Sequence, residues 1–192
     1  MATRAAVIFD RDGVINELVV SGPEGKAESP LRPVDVRLIE DAALHLQRVR
    51  AAGFLLACVT NQPSAAKGLL TIVEVSEIHD RVLALLAADG FVFDAVRMCM
   101  HHPGGRLPGL SGPCDCRKPA PGMLLSVAEE LGVDLARSWM IGDTDGDVLA
   151  GQAAGTRTVL VAVPGSAHKR SGDVQPDMTV ANLAEAVGVV VR

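Results

Sequence analysis

The sequence predicts a doubly wound α/β domain built on one parallel sheet. Short apolar runs, too brief for helices, alternate with amphipathic segments of ten or so residues. Glycines close several of those segments, as expected of helix ends. No repeat or break in composition divides the chain, so residues 1–192 read as a single domain with right-handed crossovers.

The first strand is expected over 5–10, where an apolar run ends at Asp10. A loop follows over 21–33, then a helix over 41–52 stopped by Gly53. The next units are a strand over 54–60, a helix over 71–89 closed by Gly90, and a strand over 95–99. A Gly/Pro-rich loop occupies 103–113. The helix over 121–131 carries Pro121 in its first turn and ends at Gly132. A strand over 138–142, a helix over 147–154 closed by Gly155 and a strand over 158–163 complete the alternation. The apolar stretch 187–191 suits either a last strand or a packing helix. Neither loop is long enough to form a cap domain, so the site is expected to be open and the fold compatible with a monomer.

Composition narrows the functions. The net charge of −5, with no basic stripe, argues against a nucleic-acid partner. No apolar run reaches the length of a membrane span, and Asp10 and Asp12 interrupt any signal-peptide pattern. A reducing, cytoplasmic setting is therefore expected, where four cysteines read as metal ligands or core thiols rather than disulfides.

Four motifs fall just past strands, on the sheet edge where open α/β folds bind ligands. Asp10-Arg11-Asp12-Gly13 places two carboxylates beside a residue that allows a sharp turn, although such pairs also serve turns and caps. Thr60-Asn61-Gln62 offers a hydroxyl and two amides to phosphate oxygens. Arg117-Lys118-Pro119 holds one of only four lysines, suited to stabilising phosphate charge. The stretch 141–147 contains Asp143, Asp145 and Asp147. Carboxylates there suit Mg²⁺, while Asp145 or Asp147 could instead cap the following helix.

Three of the four cysteines and two of the five histidines fall within 99–116. Cys99, Cys114 and Cys116 with His101 form a Cys3His set for a structural Zn²⁺, with His102 as the alternate fourth ligand. A disulfide would orphan one thiol. Cys58 lies inside a strand and reads as core.

Taken in order, these motifs resemble the haloacid dehalogenase superfamily of aspartyl-phosphate hydrolases. The resemblance spans Asp10 to about Val163. It implies Asp10 as nucleophile and Asp12 as acid and then base. It further implies Thr60 and Lys118 on the transferring phosphoryl group, and Mg²⁺ held by Asp10, the backbone carbonyl of Asp12 and Asp143. The Cys-x-His and Cys-x-Cys pairs running into Arg-Lys-Pro resemble two of its branches. These are the capless heptose-1,7-bisphosphate 7-phosphatases and the histidinol-phosphate phosphatases, so the substrate expected is a small phosphorylated metabolite. The chain departs from the pattern after Asn16, with Leu18-Val19-Val20-Ser21-Gly22, and after Gln62, with Pro63-Ser64-Ala65-Ala66-Lys67-Gly68. Arg117 and Lys67 suit a second phosphate; Glu17, Glu24 and Glu28 suit an amine instead.

Overall fold

A computed structural model of the protein describes residues 4–21 and 25–192. Six strands make one sheet: β1 (Ala6–Phe9), β4 (Leu55–Asn61), β5 (Ala95–Cys99), β6 (Trp139–Gly142), β7 (Arg157–Val161) and β8 (Met178–Val180). Their order is β5-β4-β1-β6-β7-β8, and every neighbouring pair is parallel. The remaining strands, β2 (Val19–Ser21) and β3 (Lys26–Glu28), form a separate antiparallel pair.

Strand alternation sorts the core into two layers. Val7, Phe9, Leu56, Cys58, Trp139 and Ile141 face the layer holding α1 (Ala42–Ala51), α2 (Ile72–Ala88) and α5 (Leu183–Val190). Ala6, Ile8, Ala57, Val59 and Met140 face α3 (Gly122–Leu131) and α4 (Asp145–Ala154). Helices on both faces explain why β1 is apolar at every position. The chain leaves β1 toward β4 and β5, then returns to β6 on the other side of β1. The ends of β1, β4 and β6 thus flank the switch point where such folds bind ligands.

The strands and helices lie within two residues of their expected limits, and Gly53, Gly90, Gly132 and Gly155 all take positive φ. Three local expectations change. The segment 21–33 is not all loop, because β2 and β3 pair across it. Pro121 precedes α3 as its N-cap rather than lying in its first turn. Helix α4 begins at Asp145, two residues before its expected start. The apolar C-terminal stretch is helical, and β8 escapes sequence reading because three residues carry no periodicity. Among the described residues no helix is long and apolar enough to cross a membrane.

Candidate active site

Asp10 follows β1, and its backbone N–H donates to Ile141 at 2.8 Å, tying it to β6. Lys118 arrives from the loop before α3 and is buried against it. Its Nζ donates to Asp10 Oδ1 at 2.7 Å and to the Val59 carbonyl at 2.8 Å, and lies 2.6 Å from Asp147 Oδ1. Asn61 fixes the Lys118 backbone from both sides, its Oδ1 accepting from the Lys118 N–H and its Nδ2 donating to the Lys118 carbonyl. Thr60 is buried at the end of β4, its Oγ1 accepting from Gln62 Nε2 at 2.8 Å. The Asn61 and Gln62 amides, expected to meet phosphate oxygens, are thus engaged within the protein.

Asp143 follows β6, and its Oδ1 is buried without a hydrogen-bond partner. Its backbone carbonyl accepts from Ser166 Oγ and Arg170 Nη1, both in the chain after β7. Gly13 lies so close that a Cβ there would stand 2.4 Å from Asp143 Oδ2, and its φ of +84° is one that side chains resist. Thr144 caps α4, with Asp147 reciprocating: Asp147 Oδ2 accepts from the Thr144 N–H at 3.0 Å and its hydroxyl at 2.6 Å. Asp145 instead accepts from Ser171. So Asp147 both starts the helix and faces Lys118, and only glycine fits at 142 against its Cβ.

Asp10, Asp143 and Asp147 bring carboxylate oxygens within 4.8 Å of one another, a set suited to a hard divalent cation. Burial, then the charge of Asp147, outweighs Lys118 and pushes the Asp10 carboxyl up to about 6. Burial, then Asp10 and Asp147, pushes Asp143 up to about 8. Burial alone would discharge Lys118, but Asp10 and Asp147 hold it charged. Asp143 keeps its proton to higher pH in the native state than unfolded, so its contribution to stability falls as pH rises from 3.8 toward about 8. In metal-free protein, Asp143→Asn should therefore raise the Tm at pH 8 and leave it unchanged at pH 4. An unchanged Tm at both would show that no repulsion is stored there.

Asp12 behaves oppositely. Burial favours its neutral form, yet Arg11 and hydrogen bonds from Asn16, Gln62 and Ser29 hold the carboxyl below its usual range. Ser29 follows β3, so the unexpected hairpin reaches the site. Glu28 pairs with Lys169 at 2.6 Å and His168 at 3.3 Å, fastening the hairpin to the segment after β7. Glu24 lies outside the described residues.

A cavity of about 590 Å³ opens above this floor. Asp10, Asp12, Thr60, Lys118 and Asp143 line it, as do the cations Lys67, Arg117 and Lys169. Three of the four lysines in the chain thus meet there. The scarcity that singled out Lys118 in the sequence applied equally to Lys169.

Cys99, Cys114, Cys116 and His101 converge beside the cavity, all four ligand atoms within 4.8 Å. Sulfur–sulfur separations are 3.1, 3.4 and 3.8 Å, and His101 Nδ1 lies 3.6 Å from Cys99 and 3.4 Å from Cys116. Those spans lie at or inside the ~3.8 Å edge of a tetrahedron about Zn²⁺ and far beyond the ~2.05 Å of a disulfide. Burial and the two neighbouring sulfurs push the Cys116 thiol up, a repulsion that a cation would relieve. His102 stands outside the cluster, its Nδ1 accepting from the Gly104 N–H. Cys58 is buried in the core, as expected. Arg117 Nη1 donates to the His101 carbonyl, linking this loop to the cavity.

Comparison with known proteins agrees with this geometry. A family profile described as HAD-hydrolase-like matches residues 115–186. A D-glycero-beta-D-manno-heptose-1,7-bisphosphate 7-phosphatase of Yersinia pestis is 32% identical over 180 residues, covering 94% of this chain and 92% of the other. Its namesake from Rhodopseudomonas palustris is 37% identical over 152 residues, covering 79% and 80%. The crystal structure of D,D-heptose 1,7-bisphosphate phosphatase from B. bronchiseptica, complexed with magnesium and phosphate, superposes with a TM-score of 0.77 at 29% identity. It covers 97% of this chain and 98% of that one.

Proposed function

The chain belongs to the haloacid dehalogenase-like phosphatases, and we propose that its substrate is D-glycero-beta-D-manno-heptose 1,7-bisphosphate, dephosphorylated at position 7. The observation that carries this reading is the cavity itself. A buried Asp10–Lys118 pair forms its floor, and Lys67 and Arg117 also line it, giving one place for a reacting phosphate and further cations for a second anion.

Asp10 attacks phosphorus in line and becomes the aspartyl-phosphate, expelling the sugar oxygen. Lys118, kept charged by its two carboxylates, balances the phosphoryl oxygens, and the Thr60 hydroxyl orients them. Asp12 rests ionised. The arriving phosphate dianion raises its proton affinity, so it takes up a proton from solvent, gives it to the leaving oxygen and then accepts one from the water that hydrolyses the aspartyl-phosphate to free Asp10 and phosphate. Asp10, Asp143 and the Asp12 backbone carbonyl are the groups that would hold Mg²⁺, which supplies positive charge to the phosphoryl oxygens when bound. The orphaned Asp143 Oδ1 fits that role. Cys99, His101, Cys114 and Cys116 are the groups that would hold a structural Zn²⁺, whose thiolate ligands suit a reducing cytoplasm.

Of the acids that would favour an amine substrate, only Glu28 lines the cavity among the described residues. Glu28 is already paired with Lys169 and His168, and Glu17 is exposed outside the cavity lining. The test compares kcat/KM on the heptose bisphosphate, its 7-monophosphate and histidinol phosphate, in wild type and Arg117→Ala. Wild type should prefer the bisphosphate. The variant should lose one to two orders of magnitude on it, about the 1.5–3 kcal/mol of a charge-assisted hydrogen bond, and less on the monophosphate. Equal losses would assign Arg117 to the metal loop or the reacting phosphate. A preference for histidinol phosphate would overturn the substrate assignment.

A further inference from the structure

Helix α2 packs with Val75, Ile78, Val82 and Leu86 in the core, yet the same face also buries His79. No step proposed above uses it. His79 Nδ1 lies 3.2 Å from Arg11 Nη1, and Arg11 is itself wholly buried. The rest of that guanidinium grips Asp12, with Nη2 at 3.0 Å from both carboxylate oxygens and Nε at 3.2 Å from Oδ1. Burial, then the Arg11 charge, depresses His79 to about 4 against the opposing pull of Asp80 and Asp12. The ring is therefore neutral at physiological pH, and Nδ1 facing a guanidinium acts as the acceptor.

We propose that His79 is a positioning residue for the reaction, accepting from Arg11 so that the guanidinium stays forked onto Asp12 and holds its carboxyl in line with the leaving oxygen. A leucine would pack as well on this helix face but would leave a buried guanidinium N–H without a partner, and a charged donor in that state draws toward water. Arg11 would then leave Asp12 to Asn16, Ser29 and Gln62, which bond the carboxylate without its fork. The inference rests on the phosphatase reading, because the geometry matters only if Asp12 transfers a proton.

The experiment compares His79→Leu and His79→Gln with wild type on an alkyl phosphate and on p-nitrophenyl phosphate, whose leaving group needs no proton. His79→Leu should lose about tenfold in kcat/KM on the alkyl ester, within the ~10²-fold that a 1 Å misplacement can cost, and stay within twofold on the aryl ester. His79→Gln, whose Oε1 can accept, should recover most of the loss. Equal losses on both esters, or none, would overturn the proposal. A parallel measurement follows hydrogen exchange at the Arg11 Nε–H, protected in wild type and His79→Gln and exposed in His79→Leu. If wild type hydrolyses neither ester nor the heptose bisphosphate, the phosphatase reading fails, and this exchange alone decides whether His79 holds Arg11. Retained protection in His79→Leu would sink the positioning role.

Discussion

Asp10→Asn should lower turnover by at least ~10³-fold while leaving the fold intact, as expected when the attacking atom of a covalent mechanism is removed. The two halves of that expectation come from the same contacts. Asp10 Oδ1 receives the Lys118 ammonium at 2.7 Å, and an amide is a far poorer nucleophile at that place. Yet Lys118 is not stranded by the change, because Asp147 Oδ1 lies 2.6 Å away on its other side. The site also has carboxylates in excess, since burial and Asp147 already push Asp10 up to about 6. Removing one buried acid relieves repulsion, so the melting temperature should hold or rise. Activity within about tenfold of wild type would remove Asp10 as nucleophile. Lost activity together with a collapsed Tm would instead make the Asp10–Lys118 pair a requirement of folding.

Much of the floor of this site was legible in the sequence because its groups end strands, whereas Lys118, in the loop before α3, stood out by the scarcity of lysines. Asp10, Thr60 and Asp143 follow three short apolar runs, and parallel strands deliver their ends to one edge. Likewise, the cysteine and histidine spacing needed no tertiary information. The walls are another matter. The hairpin of β2 and β3 is held by Glu28 with Lys169 and by the close approach of Gly165 to Ala27, partners about 140 residues apart in the chain. Each of its strands is only three residues long, too short for periodicity to register. Asp147 was ambiguous for a different reason, since one carboxylate both receives Thr144 and faces Lys118. Motif reading assigns a residue one role at a time. His79 was hidden by its setting, a polar residue inside an otherwise apolar helical face that reads as core.

Removing zinc should unfold the 99–116 loop and stop turnover, whereas removing magnesium should stop turnover alone. The sheet has a two-layer apolar core, but in that loop only Cys99, Cys114 and Cys116 pack against it. Its order must come from elsewhere, and a structural zinc site contributes on the order of 10 kcal/mol. Loss of that energy would reach the chemistry by a short path. Cys116 is two residues from Lys118, and Arg117 Nη1 holds the His101 carbonyl at 3.1 Å, so a loosened loop would draw Lys118 off Asp10. Magnesium, by contrast, would be held by few protein groups and several waters, and should leave under mild chelation without moving a strand. Protein purified under reducing conditions should carry about one zinc per chain. Mild chelation should abolish activity reversibly, with magnesium restoring it and the melting temperature little changed. Cys114→Ser, or harsher chelation, should lower the melting temperature and give a loss that magnesium does not reverse. A zinc-free preparation with full activity would leave the four ligands as a cluster of thiols and a histidine without a structural metal, and the order of the loop would need another source.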